Sequence, residues 1–69
     1  MKFTDADIQI GGRYPFELAP GLIAVATVIG RREIGSMQYV RYTIPSAPQP
    51  GFCRSSVFAK AVRHALKGT

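Results

Sequence analysis

The sequence predicts a small α+β domain: an antiparallel sheet built on a central hairpin (22–29 with 37–44), followed by one C-terminal helix over about 55–67. Three observations lead there. Leu22 to Ile29 is a β-branched, apolar run; Met37 to Ile44 alternates with a period of two; and from Ser55 onward apolar residues recur at helical spacing. At 69 residues the chain has room for one domain, spanning 1–69. Its 46% hydrophobic and 19% charged content is that of a folding chain, not a disordered one. A chain of this size buries only about 60% of the surface its unfolded form exposes. With one cysteine, Cys53, no internal disulfide assists, so nearly every large apolar residue is expected inside.

Each element follows from local chemistry. Asp7 to Ile10 alternates, with Ile8 and Ile10 on one face, and reads as a short first strand ended by Gly11-Gly12. Arg13-Tyr14-Pro15-Phe16 extends or pairs with it, with Pro15 confined to an edge or a bend because it has no amide hydrogen. Tyr14 and Phe16 are core candidates, and Ala19-Pro20-Gly21 is a second break. Leu22 to Ile29, apolar on both faces, suits a strand covered on each side. Gly30 to Ser36 is polar and glycine-bracketed, and reads as an open hairpin loop. On the return strand Val40, Tyr42 and Ile44 are expected to face the core, with Met37, Tyr39, Arg41 and Thr43 outward. A proline-rich loop then fills 45–54. In the helix, with Ser55 or Ser56 as cap and Gly68 as stop, Val57, Phe58, Ala61, Val62, Ala65 and Leu66 form the apolar stripe. Lys60, Arg63, His64 and Lys67 lie opposite.

The net charge is +5 with a pI near 10.0, unevenly placed. Residues 1–20 sum to −1, with Lys2 and Arg13 against Asp5, Asp7 and Glu17; residues 21–69 sum to +6, with Glu33 the lone acid. Such a field attracts nucleic acid, an anionic membrane face or an acidic protein. The longest apolar run is far short of the roughly 18 residues a membrane span needs. The N-terminus carries acids where a signal peptide would be apolar, and with the free thiol this points to a cytoplasmic location.

The candidate binding residues are the helix cations Lys60, Arg63 and Lys67 with Arg54 just before them, Arg31 and Arg32 at the hairpin tip, and Arg41 beside Tyr39 on the outer face. Cations in one column track phosphates, and an exposed aromatic beside arginine stacks on bases. The same residues also have simpler roles. Cations in a last turn favour the helix dipole, hairpin tips are polar, and Tyr, Met and Arg are enriched at protein interfaces. Cys53 precedes the helix N-terminus, where a thiolate is favoured, but His64 lies about two turns or more along the helix, too far to pair as base. Ser55 and Ser56 have no activating base, and the four acids all precede residue 34. The sequence therefore predicts no catalytic site, no metal site and no cofactor.

The run Ile8 to Tyr14, the strand Leu22 to Ile29, the return Val40-Arg41-Tyr42 and the helix start Val57-Phe58-Ala59 together resemble the layout of SH3-like small barrels. In particular, the chain is similar to short uncharacterised proteins of bacterial prophages and plasmids. The SH3 domains that bind proline-rich ligands carry an acidic loop and a tryptophan, which this chain lacks, so the resemblance implies a scaffold for nucleic-acid binding or protein docking. The alternative architecture is an open sheet completed by dimerisation across the edge of Met37 to Ile44. Two expectations follow. The first is a nucleic-acid-binding accessory protein using Arg31, Arg32, Arg41, Lys60, Arg63 and Lys67 as one continuous surface. The second is an interaction or inhibitor module steered onto an acidic partner, with Met37, Tyr39 and Arg41 as anchors.

Overall fold

The computed structural model describes residues 3–67. A 3-10 turn (Asp5–Asp7) leads into strands β1 (Arg13–Ala19), β2 (Leu22–Ile34), β3 (Met37–Thr43) and β4 (Gly51–Arg54), and helix α1 (Ser55–Lys67) follows directly. The strands form one antiparallel sheet in the order β1-β2-β3-β4. It is open, with β1 and β4 as its two edges and no closure into a barrel. α1 packs across one face, chiefly against β1.

The core lies between that face and the helix. Phe58 on α1 is fully buried, and its ring meets three others from the sheet: Phe16 at 5.1 Å, Tyr42 at 5.4 Å and Tyr14 at 6.1 Å. Val28, Val40 and Val62 fill the space around this centre, and Phe3 packs on Tyr14 at 5.1 Å. Close approach is built into the backbone at Gly51, where a side chain would overlap the Tyr42 ring. Gly12 bears the same relation to Tyr14.

Several expectations hold. The helix has the predicted bounds, and Val40, Tyr42 and Ile44 face the core. Pro15 does sit in an edge strand. Val28 N–H donates to the Gly12 carbonyl, so alternation down the pair turns Tyr14 and Phe16 toward β2 and leaves Pro15's missing N–H on the free edge. Pro20-Gly21 forms the β1–β2 turn, with Gly21 at φ +82°.

Other expectations are corrected. Residues 7–10 are not a strand: the Tyr14 hydroxyl accepts from Gln9 N–H and donates to the Asp7 carbonyl, folding this segment over the core. Ile8 is therefore buried (2% exposed) while Ile10 is not (65%), and the two do not share a face. The expected loop 30–36 is mostly strand. β2 continues to Ile34 and reverses through Gly35-Ser36, with Gly35 at φ +65° in the glycine-first position of a two-residue hairpin. β2 is covered on one side only, leaving Ile23, Val25 and Ile29 exposed. The proline loop ends at Pro50, because Gly51–Arg54 pairs with Tyr39 to Tyr42. That pairing makes β3 internal, so its edge is not free for dimerisation.

The helix stripe is also turned about its axis. Ser55, Phe58, Ala59, Val62 and Ala65 are buried, whereas Val57 and Leu66 are about half exposed. The Ser55 hydroxyl donates to the Asp5 carboxylate at 3.4 Å, tying the helix start to the N-terminal turn. Gly68, read as the helix stop, lies outside the described residues.

Candidate functional site on the open face of the sheet

The register of the sheet arranges its uncovered face in cross-strand rows. Since Val40 points into the core, Tyr39 and Arg41 point away from it, and residues directly opposite each other share a face. One row is therefore Arg32, Tyr39 and Arg54, and the next is Gly30, Arg41 and Phe52. Neighbouring positions in a row are about 4.8 Å apart. Tyr39 thus has an arginine on either side.

Across the two rows the rings of Tyr39 and Phe52 lie stacked, with centroids 5.0 Å apart and planes 4° from parallel. Such a pair contributes about 0.5–1.5 kcal/mol beyond its buried area. Yet Phe52 remains 50% exposed, a large apolar surface left in water by a chain with few aromatics. Arg32, Arg41 and Arg54 are all exposed around it. Further down the face Arg13 stands opposite Thr27 and Thr43.

The four acids lie elsewhere. Asp5 and Asp7 belong to the N-terminal turn, where Asp7 accepts from Thr4, and Glu33 pairs with Gln38 on the opposite side of the hairpin. Glu17 stands opposite Ile23 on the edge strand β1, away from the arginine rows, with its Oε1 3.5 Å from His64 Nδ1 of the helix. The rows of Arg32 and Arg41 consequently hold cations with no acid beside them, with apolar Ile34 and Met37 at the hairpin end of the face and Ile23 and Val25 at the other.

The residues singled out from the sequence therefore separate into three groups. Arg32, Tyr39, Arg41 and Arg54 come together on the open face. Lys60 and Lys67 are exposed on the helix, across the sheet from them. Arg31 and Arg63 are engaged in holding the N-terminal segment. Arg31 Nη1 donates to the Ile8 carbonyl at 3.0 Å and Nη2 to Gln38 Oε1 at 2.9 Å, while Arg63 Nη1 donates to the Phe3 carbonyl at 2.8 Å. The six cations expected to form one surface lie on two faces, two of them committed to the fold.

Phe52, Arg13 and Gly30 belong to the open face but were not identified from the sequence. Phe52 lies in a strand of four residues directly after three prolines, too short for its alternation to register. The Cys53 thiol is half-buried, and burial pushes its pKa up against the opposing influence of the Phe58 backbone N–H. The helix start thus does not produce the thiolate that its position alone suggests. Among the described residues no group of three or more His, Cys, Asp or Glu side chains is placed to hold a metal ion. No helix there is long and apolar enough to cross a membrane.

No family model, no curated protein and no solved structure matches this chain. The closed barrel expected from an SH3-like layout is not formed, since the sheet stays open.

Proposed function

We propose that this protein is a nucleic-acid-binding accessory protein whose binding surface is the open face of the sheet and not the helix. One observation carries the reading: three exposed arginines, Arg32, Arg41 and Arg54, flank the half-buried Tyr39 ring and the exposed Phe52 ring stacked on it, with no carboxylate in either row. Guanidiniums bind phosphate oxygens through paired N–H donors, and aromatic rings accept a base on their open surface. The face combines both groups within two rows of side chains.

Fluorescence anisotropy with labelled single- and double-stranded DNA and RNA, titrated from about 50 to 200 mM salt, tests the reading. Affinity is expected to fall steeply with salt. Arg32→Ala and Arg41→Ala should each lower the salt slope by about 1. Tyr39→Ala should weaken binding at fixed salt by about 5- to 150-fold, the equivalent of about 1–3 kcal/mol of lost stacking. Lys60→Ala and Lys67→Ala should change little. Absence of binding at the lowest salt overturns the proposal.

A second reading has its own support. Ile34 and Met37 extend the face with aliphatic surface for which a phosphate backbone has no use, and Met, Tyr, Phe and Arg are the residues enriched at protein interfaces. On this reading the face docks an acidic protein, with Met37, Tyr39 and Arg41 as anchors. Self-association through the same face is disfavoured, since a two-fold pairing would set its arginines against one another.

A further inference from the structure

Six glycines lie within the described residues, and five have a reason in the fold. Gly11, Gly21 and Gly35 adopt positive φ (+87°, +82° and +65°), where a side chain is strained. Gly12 and Gly51 lie under the rings of Tyr14 and Tyr42, where a Cβ would overlap them. Gly30 has neither reason. Its φ is not in the left-handed region, and a Cβ built on it meets nothing within 4 Å. It nevertheless sits inside the longest strand, where glycine weakens the sheet relative to alanine. The register shift beside it, between Val28 and Gly30, does not call on the positive φ for which bulges select glycine.

Gly30 faces the open side, at the end of the row that continues through Arg41 and Phe52. Arg32 follows two residues along the same strand and Tyr39 is its diagonal neighbour. The missing side chain leaves the β2 backbone open to the face at this position, with Arg41 opposite it and Arg32 two residues along. A flat group can approach such bare backbone closely. A glycine in a strand with no steric need for it marks a place where a ligand approaches the backbone closely.

Resting on the nucleic-acid reading above, we propose that Gly30 is kept free of a side chain to seat one base of a single-stranded nucleic acid. Arg32 and Arg41 hold the phosphates to either side, and the Tyr39–Phe52 stack, about 10 Å across the row, receives a neighbouring base. The ligand is single-stranded because a duplex keeps its base planes stacked inside, out of reach of a sheet surface.

The test uses the full chain with Gly30→Val and Gly30→Ala, a labelled oligo-dT of about 16 nucleotides and a duplex of equal length. Thermal melts of both variants are expected to match or exceed that of the parent, while oligo-dT affinity falls about tenfold or more for valine and less for alanine. The parent should prefer the single strand. If the parent binds oligo-dT and both variants bind it within about twofold, the seat at Gly30 is overturned and the nucleic-acid reading stands. If the parent binds duplex as tightly as oligo-dT, the single-strand assignment is overturned. If the parent binds neither, the nucleic-acid reading itself fails. A marked drop in the melting temperature of Gly30→Ala overturns the premise that the fold does not need this glycine.

Discussion

The sheet has two faces, and each presents aromatic rings, but to different neighbours. On the covered face Tyr14, Phe16 and Tyr42 gather around Phe58 of the helix, and the arginines at its margin, Arg31 and Arg63, donate to backbone carbonyls of the N-terminal segment. On the open face Tyr39 and Phe52 stack on each other, and the arginines beside them are exposed. The comparison shows what an arginine does where the fold has a use for it and where it does not. Cations of the first kind belong to stability. Those of the second are available to a partner.

The largest effect belongs to the covered face. Phe58→Ala removes the ring on which three others converge, and truncating a fully buried phenylalanine costs about 3–5 kcal/mol. A domain of this size has little more than that in total, so the variant is expected to be largely unfolded at 25 °C by circular dichroism. Phe52→Ala loses one stacked pair and a half-exposed ring, and should keep a cooperative melt. Equal destabilisation by the two would erase the distinction between the faces.

A sharper version uses adjacent residues. Arg31 and Arg32 are neighbours in sequence on opposite faces, one bonded to the Ile8 carbonyl and Gln38, the other exposed beside Tyr39. Arg31→Ala is expected to cost about 1–2 kcal/mol, or about 4–16 °C in melting temperature for a domain of this length. Arg32→Ala should stay within about 0.5 kcal/mol of the parent. Differential scanning fluorimetry on both separates the roles. Indistinguishable melts would mean that the bonds of Arg31 contribute nothing net.

Much of this division is legible in the sequence, and the rest is missing for physical reasons. The inward set Val40, Tyr42, Ile44 and the helix bounds follow from periodicity, which burial imposes wherever an element covers the sheet. The hairpin beyond Gly30 projects past that cover, so neither of its faces is selected to be apolar, and a strand there has a loop's composition. Gly51–Arg54 is four residues, shorter than a period can establish. The stripe on α1 is rotated because Val57, Phe58, Ala61, Val62, Ala65 and Leu66 span more of the helix than the sheet covers, and small Ala59 is buried in their place. For the site, Tyr39 and Arg41 were placed correctly by alternation alone. Their grouping with Arg54 and Phe52 depends on β4, and a glycine without a steric role is recognised only when the space around it is known.

The smallest effect concerns the boundary between the faces, at Cys53 on β4, which opposes buried Val40 and is itself half-buried. Burial raises its pKa above the ordinary value near 9.0, so the folded chain holds the thiol proton more tightly than the unfolded chain does. This contribution is fully present below the unfolded value and is lost as pH rises through the folded one. Tyr42 is also raised, first by burial and then by the nearby Cys53, but from a value near 10.0, so its effect begins at higher pH. Urea midpoints at pH 7.5 and 9.5 should therefore differ slightly in the parent, and Cys53→Ala should reduce that difference. If it does not, the thiol is as free to ionise in the folded chain as in the unfolded one, and β4 opens at this position more readily than its pairing with β3 implies.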